Sequence, residues 1–410
     1  MTLIRSWFAI PLWKRVIAGL VLGVAFAVFF PGLTPAVAVV GDIFIRLIRM
    51  LVVPVVFITI ASGVTALGDP KRLGSVGGRT LGLFAVTTAI AVSVGMIVAL
   101  IIGPGIGANL GSALPHAIGT PKSTYDQLVG IIPINIIEAL AAGDMLAIIF
   151  FSLLLGVGTI LAGEGGRPLA NLLQSGSNVL FHIIRLVMEV TPFGVFALTA
   201  GAIATNGFAV FANIGLLALC VVIGSLIQVV FVHSLLVRGI ARMRLSFFFR
   251  GIMDALAVAF STASSSATLP VALRVARDNL RIAPAVASTV LPIGASIGKD
   301  GTAMYVGLLS IFSLQALGIQ PDAGMLAVIL FTGALAAFGT APIPSASLFM
   351  LAAVLSAVGV STEQAALIVG FVLPFDRLLD MTRTVPSACA NLAVTTAIAH
   401  WEGDLARSDG

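Results

Sequence analysis

The sequence predicts an all-α protein that crosses a membrane several times. Of its 410 residues, 59% are hydrophobic and only 10% are charged, and the mean hydropathy is +1.13. A water-soluble core of ordinary proportions cannot bury that much apolar surface. Apolar stretches of about 20 residues, the length that crosses about 30 Å of hydrocarbon, recur along the chain. Stretches of this kind argue against the short alternating strands of an outer-membrane barrel.

Six of these stretches are predicted to be simple spanning helices. They cover residues 16–31, 44–67, 80–103, 143–162, 177–203 and 208–237. Three later apolar blocks, at 247–277, 285–316 and 323–399, are longer or more interrupted than one spanning helix. These blocks require a different arrangement of the chain.

The basic residues lie in alternate loops. They are Arg5, Lys14 and Arg15 before the first span, Lys71, Arg72 and Arg79 after the second, Arg167 after the fourth, and Arg238, Arg242, Arg244 and Arg250 after the sixth. The opposite loops offer only Lys122. By the positive-inside rule, this pattern predicts a multi-pass protein of the inner (plasma) membrane with cytoplasmic termini. The net charge of +5 therefore reflects topology and a lipid environment, and indicates no nucleic-acid partner.

Known catalytic signatures are missing from the sequence. It contains no G-x-S-x-G, no H-E-x-x-H, no Walker loop and no cysteine–histidine cluster. We therefore predict no enzyme activity, no cofactor and no metal-ligating cluster. Cys220 and Cys389 are interpreted as packing residues in apolar helices, and His233, near a helix end, as an interfacial residue. The chemistry is expected in intramembrane polar groups, which are energetically expensive and usually functional.

Two of the later blocks are interrupted by small polar residues and prolines. "FSTASSSATLPVALRVARDN" carries three serines ahead of Pro270, and "FGTAPIPSASLFML" places Pro342 and Pro344 between two apolar arms. Because proline cannot continue a helix, each chain segment is predicted to break at membrane depth, where only protein or water can satisfy its backbone. We interpret both as re-entrant hairpins, a pattern that points to a transporter binding site. Two kinked spanning helices are the alternative.

The last span carries a polar stripe. At about 100° per residue, Asp376, Asp380, Arg383, Ser387 and Asn391 fall within an arc of roughly 80° over about four turns, with Thr384 beside it. A guanidinium matches a carboxylate bidentately, and an aspartate suits an ammonium. Together these groups describe an amino acid with a second carboxylate. A purely structural ion pair between Asp380 and Arg383, at i,i+3, is the alternative.

These segments, taken together, resemble the glutamate transporter family, the dicarboxylate/amino acid:cation symporters. The resemblance rests on the serine hairpin with "TLPV", "DGTA", "GTAPIP", "LDMTRT" and "IPINIIEALAAGDMLAIIFF", which occur across nearly the whole chain. It implies eight transmembrane helices plus two re-entrant hairpins, a homotrimer, and an elevator mechanism. The implied scaffold is 12–68 (TM1–TM2) and 126–205 (TM4–TM5). The implied transport domain is 77–110 (TM3) and 206–400 (TM6, hairpin 1, TM7, hairpin 2 and TM8), with both final helices broken.

The resemblance also assigns substrate-binding roles. By it, Arg383 binds the side-chain carboxylate of the substrate and Asp380 its amino group. The remaining expected contacts are Thr302, Thr384, Ser265, Ile343 and Ser387. Ser387 stands where the family usually has an asparagine, and neither Ala263 nor Met381 supplies the arginine that members usually keep.

The larger departures concern the cation sites. The family motif N-M-D-G-T reads Gly298, Lys299, Asp300, Gly301, Thr302, and Asn391 stands in place of a sodium-binding carboxylate. Phe84 replaces a tyrosine beside Thr87 and Thr88, which match other sodium-site residues. Because hard cations need oxygen ligands and negative charge, at least two sodium sites are expected to be crippled.

Lys299 and Asp300 are the only charges between Arg281 and Asp322. We hypothesise that the Lys299 ammonium replaces a bound cation and neutralises Asp300; a lysine that snorkels outward is the alternative. The sequence thus predicts a sodium-independent aspartate or glutamate transporter, either proton-coupled or uncoupled. A C4-dicarboxylate:proton symporter of the same fold is the alternative, and an ion channel or scaffold protein is a distant third.

Overall fold

The computed structural model describes residues 10, 12–65, 70–108, 132–207, 209–340, 346–403 and 405. These residues are almost entirely helical, and their only β pairing is an isolated bridge between Ile282 and Leu405. The prediction of an all-α protein is confirmed for this part of the chain. The helices are α1 (Leu12–Phe29), α2 (Thr34–Thr65), α3 (Pro70–Ile102), α4 (Ile136–Ala142), α5 (Met145–Leu161), α6 (Arg167–Met188), α7 (Thr191–Asn206), α8 (Ala209–Leu226), α9 (Ser234–Gly239), α10 (Leu245–Thr262), α11 (Ser265–Asp278), α12 (Pro284–Ile297), α13 (Asp300–Ala316), α14 (Ala323–Gly339), α15 (Ala346–Ala357) and α16 (Thr362–Glu402).

Several helices have the dimensions of membrane spans. By length and composition, Val76–Ile102, Phe211–Gly239 and Leu245–Thr262 qualify singly in the described ranges, and two bent helix pairs raise the total to five. The segment Ile227–His233, between α8 and α9, is a π-helix. The helix of the sixth predicted span therefore continues from α8 to α9 through this π-helical segment. The predicted number of eight spans and two hairpins remains a prediction.

The first interrupted block folds back on itself. Helices α10 and α11 pack against each other and are joined at Ala263, whose φ of +51° puts it in the left-handed region. Ser264 then caps α11 through its side chain, which accepts from the Ala267 backbone N–H at 3.3 Å. The sharp turn at the serine segment agrees with the hairpin interpretation of this block.

The second interrupted block also forms two helices that pack together. Helix α14 ends at Gly339 and α15 begins at Ala346. The connection 341–345, with both prolines and the predicted contact residue Ile343, lies outside the described residues. A Cβ at Gly339 would lie 2.0 Å from Ile60 Cγ1, so α14 approaches α2 very closely at this point.

The chain breaks between α12 and α13 at Gly298 and Lys299, neither of which has helical backbone angles. Residues Asp300–Leu314 of α13 are buried on every face. Helix α3 crosses α13 so closely that a Cβ at Gly95 would lie 2.0 Å from the Met304 carbonyl oxygen. The break therefore lies deep inside the protein, where the N–H groups of Gly298 and Lys299 donate to the carbonyl oxygens of Gly294 and Ile297 in α12.

The expectation that the last helix is broken is wrong. Helix α16 runs without interruption for 41 residues, from a capping box at Ser361 and Gln364 to a left-handed Gly403. Pro374 and Pro386 lie inside it. Each proline removes one backbone hydrogen bond, which a long helix can absorb as a bend. The polar stripe is therefore presented from one continuous helix.

Candidate functional site

The first group of site residues, here called the arginine cluster, consists of Arg383, Asp380 and Thr302. The Arg383 Nη2 lies 2.5 Å from Asp380 Oδ1, and Nη1 donates to Thr302 Oγ1 at 2.6 Å. All three side chains are buried. The cluster joins the polar stripe of α16 to the first turn of α13, so residues far apart in sequence are brought together as predicted.

A second layer supports the guanidinium. Arg383 Cζ lies 5.1 Å from the centroid of the Tyr305 ring, a distance at which a cation is attracted to the aromatic face. The Tyr305 hydroxyl in turn donates to Asp376 Oδ1 at 2.9 Å. Neither Arg383 Nε nor Asp376 Oδ2 has a hydrogen-bond partner in the described structure. Because the guanidinium is held on two of its nitrogens only, it retains donor capacity for a ligand.

Gly301 sets how closely α13 approaches α16. A Cβ at this position would lie 1.6 Å from the Arg383 carbonyl oxygen, so a side chain cannot be accommodated without moving a backbone. The Gly301 N–H donates to Ser387 Oγ at 3.0 Å. Ser387, where the family usually has an asparagine, therefore binds the first turn of α13 in this structure.

The second group, here called the aspartate cluster, surrounds Asp300. Its Oδ1 accepts from Thr87 Oγ1 at 3.1 Å and from Thr88 Oγ1 at 3.2 Å, and its Oδ2 lies 3.2 Å from His233 Nε2. These residues come from α13, α3 and the end of the π-helix, and each is 0–3% exposed. Both carboxylate oxygens are thus satisfied by the protein itself.

The interpretation of His233 as an interfacial residue is wrong. Its side chain is 0% exposed and pairs with Asp300. The π-helix explains why the sequence did not indicate this, since a wide turn changes which side the following residues face and a regular helical wheel misplaces them. The isolated histidine also belongs to no motif that could have found it.

The hypothesis that Lys299 neutralises Asp300 is also wrong. Lys299 is 3% exposed, and its Nζ donates to the Ala295 carbonyl oxygen at 2.8 Å. Among the ion pairs of the described residues, Asp300 pairs with His233 and Lys299 pairs with no carboxylate. The side chain turns back along α12 because the broken helix leaves that carbonyl available. Burial likewise rules out the outward-snorkelling alternative.

Three of the sequence departures fit one another in space. A Cβ at Gly298 would lie 2.0 Å from Asn391 Oδ1 and 2.5 Å from the ring of Phe84. The ring and the amide therefore occupy the volume that a longer side chain at 298 would need. Asn391 Oδ1 is buried and has no hydrogen-bond partner in the described part of the chain. Glycine, phenylalanine and asparagine at these positions form one mutually dependent set.

The remaining predicted residues lie close by. Thr384 is buried, and its hydroxyl donates to the Asp380 backbone carbonyl at 2.7 Å. Ser265, in the first turn of α11, lines a cavity of about 10 Å³ with Ala295 and Asn391, about the space for one water molecule. Cys220 and Cys389 are buried and free, as predicted, and the described residues contain no group of three His, Cys, Asp or Glu side chains that could hold a metal.

Comparison with known proteins places this geometry in context. A family model described as the sodium:dicarboxylate symporter family matches residues 12–401. The proton/sodium-glutamate symport protein of Geobacillus stearothermophilus is 34% identical, with 97% of this chain and 96% of the relative covered. The protein of the same name from Bacillus subtilis is 31% identical, covering 95% and 92%. The C4-dicarboxylate transport protein of Azorhizobium caulinodans is 32% identical, covering 96% and 89%.

Proposed function

The chain belongs to the sodium:dicarboxylate symporter family, a family of membrane transporters rather than enzymes, and we propose that it transports aspartate or glutamate without sodium. The observation that carries the proposal is the buried pair of Arg383 and Asp380 beside Thr302. An acidic amino acid has two carboxylates and one ammonium, so its recognition needs both a cation and an anion in the site. The arginine cluster supplies one of each.

Substrate binding is proposed to exchange the partners of this ion pair. A buried ion whose partner is removed costs several kcal/mol, and the Arg383–Asp380 contact avoids that cost when no substrate is bound. On binding, the substrate side-chain carboxylate would take the guanidinium and the substrate ammonium would take Asp380. Thr302, Thr384 and the tip of the first hairpin at Ser265 are proposed to complete the site, with Ile343 from the second hairpin and Ser387 as further contacts.

The cation-site residues of this chain supply fewer oxygen ligands and less negative charge than the family pattern, which supports sodium independence. At the positions where the family supplies oxygen ligands, this chain presents Gly298, the ring of Phe84 and the amide of Asn391. The Ala295 carbonyl oxygen, freed by the helix break, is bound by the Lys299 ammonium. We therefore retain part of the cation-replacement hypothesis: Lys299 takes the place of a cation at this carbonyl.

The architecture implied by the family resemblance is proposed as well. Residues 12–68 and 126–205 would form the fixed scaffold, while 77–110 and 206–400 would move as the transport domain of a homotrimer with cytoplasmic termini. Two observations support this division. Helix α13 packs against α3, α8, α14, α15 and α16, which all belong to the proposed moving part. Helices α1 and α2 both pack against α7, and all three belong to the proposed scaffold.

A C4-dicarboxylate:proton symporter is the second candidate. Asp380 lies within 2.5 Å of Arg383, and an aspartate that stays in this pair would not bind an ammonium. Relatives named for glutamate and for C4-dicarboxylate transport are similarly identical to this chain, so overall similarity does not separate the two. The role of Asp380 therefore decides between the candidates.

The proposal is tested by uptake of labelled aspartate into liposomes containing the purified protein. Uptake is measured under an imposed sodium gradient, a proton gradient and no gradient, with unlabelled aspartate, glutamate or succinate as competitors. We expect aspartate or glutamate to compete best and uptake to proceed without sodium. Accumulation that requires a sodium gradient would refute sodium independence, and stronger competition by succinate would favour the second candidate.

The variant Asp380→Asn sharpens this test. Because a hydrogen bond to a charged group contributes about 1.5 to 3 kcal/mol, we expect aspartate affinity to fall at least about tenfold, whereas succinate binding does not fall. Glu363→Gln, an exposed acid in the first turn of the same helix, is the matched control. Equal aspartate affinity in Asp380→Asn and the wild type would remove the amine-binding role.

A further inference from the structure

The aspartate cluster contains a group that no sequence motif assigns. Asp300 and His233 are each 0% exposed and lie 3.2 Å apart between Oδ2 and Nε2. When the carboxylate is ionised it only accepts hydrogen bonds, and Nε2 is then the donor in this contact. The imidazole thus occupies the second oxygen of a buried carboxylate whose first oxygen is already bound by two threonine hydroxyls.

This arrangement is incompatible with a hard cation at the same place. Such a cation needs oxygen ligands and direct access to the carboxylate, whereas a nitrogen that carries hydrogen has no lone pair to offer. The ring is held from an independent element, the end of the π-helix Ile227–His233, and π-helical turns are frequent at functional sites. Its other nitrogen, Nδ1, is buried and has no hydrogen-bond partner in the described structure.

We infer that His233 is a built-in occupant of the cation position at Asp300, and that removing its ring creates a binding site for a monovalent cation there. The oxygen atoms for such a site are present, namely the Asp300 carboxylate and the hydroxyls of Thr87 and Thr88. The inference rests on the proposed function for its link to transport. The cation site itself does not depend on which substrate is carried.

The test is a thermal-unfolding measurement on purified protein in sodium chloride and in choline chloride at equal ionic strength. A cation that binds only the folded state raises the melting temperature. We expect no sodium-specific rise in melting temperature for the wild type or for His182→Asn. His182→Asn is a matched control because His182 is exposed on α6. For His233→Asn we expect a sodium-specific rise of about 2 °C or more, which the added change Asp300→Asn abolishes.

Two outcomes would overturn the inference. One is a folded His233→Asn protein with no sodium response. The other is a sodium-specific rise in the melting temperature of the wild type that Asp300→Asn removes. This second outcome can be measured even if His233→Asn does not fold.

The melting readout needs no substrate, so it separates this inference from the proposed function. Failure of all variants to bind aspartate, with the sodium response of His233→Asn intact, would contradict the proposed substrate alone. A wild-type sodium response that Asp300→Asn leaves unchanged would place sodium elsewhere and contradict only the proposed sodium independence. When aspartate does bind, we expect His233→Asn to bind it at least about fivefold more tightly in sodium than in choline.

Discussion

The arginine cluster and the aspartate cluster both adjoin the first turn of α13, yet they keep their charges satisfied in different ways. In the arginine cluster, both charged residues belong to one recognisable stripe of α16, three positions apart. In the aspartate cluster, the partner of Asp300 comes from a distant π-helix and from no motif. The two clusters thus differ in whether the partner of a buried charge can be found from a local sequence pattern.

The two clusters also differ in what they leave open. Arg383 Nε is buried without a hydrogen-bond partner in the described structure, so the guanidinium keeps a donor for an incoming carboxylate. Both oxygens of Asp300, in contrast, are occupied by donors from the protein. On the proposed function, this difference lets the arginine cluster receive a ligand, while the aspartate cluster has no free carboxylate oxygen to offer one.

The change Arg383→Lys should produce the largest effect, because it breaks the arginine cluster and leaves the aspartate cluster intact. A lysine keeps the charge but cannot bind a carboxylate bidentately or reproduce the two simultaneous contacts to Asp380 and Thr302. We expect aspartate uptake into liposomes to fall about a hundredfold or more. Arg377→Lys, six positions earlier on the same helix and only partly buried, should retain near wild-type uptake. Near-normal uptake by Arg383→Lys would mean that the guanidinium does not bind substrate.

The change Gly301→Ala tests the close contact between α13, which contributes to both clusters, and α16. Its Cβ would lie 1.6 Å from the Arg383 carbonyl oxygen, and relief requires movement of α13 or α16. Overpacking of this kind typically costs about 1 to 3 kcal/mol, so we expect a clear fall in melting temperature together with loss of substrate binding.

Gly215→Ala is the matched control for this change. Gly215 lies inside α8 with nothing within 4 Å of an added Cβ, and alanine is favoured over glycine in a helix by up to about 1 kcal/mol. The control should be neutral or slightly stabilised. If the two variants melted alike, the close approach of α13 to α16 would not be required for the fold.

The Asp380–Arg383 pair of the arginine cluster was predictable because the two residues are close in sequence, whereas Thr302, 81 positions away, was indicated by the family resemblance. The spacing of Asp376, Asp380 and Arg383 at helical intervals indicates one face of one helix, and the structure buries that face. The turn at Ala263 and Ser264 was likewise indicated by serine and proline placement. These features depend on backbone chemistry over a few residues.

The aspartate cluster was predictable only in part. The family resemblance indicated Asp300, Thr87 and Thr88, which the structure brings together, whereas the place of His233 depends on distant parts of the chain. His233 reaches Asp300 only after a π-helical turn, and no spacing rule forecasts such a turn. The Lys299 side chain points back toward Ala295 because the helix break leaves the Ala295 carbonyl without a backbone donor. The break expected in the last helix came from the family resemblance, whereas α16 continues through Pro374 and Pro386.

The smallest effect is expected from Lys299→Met, which changes the residue next to Asp300. The Lys299 ammonium is bound to the Ala295 carbonyl, and Lys299 is the residue directly before the first turn of α13, which carries Asp300 and Thr302. Methionine preserves the length of the side chain and removes the charge, so the carbonyl loses its donor and the site loses a cation that favours anionic substrates. We expect aspartate affinity in choline chloride to fall about tenfold, equivalent to about 1.4 kcal/mol, measured by isothermal titration calorimetry. Lys14→Met, an exposed lysine in α1, should leave affinity unchanged. If Lys299→Met binds aspartate as tightly as the wild type without sodium, Lys299 contributes nothing to the site and does not stand in for a cation at the Ala295 carbonyl, whereas the inference about His233 at Asp300 is unaffected.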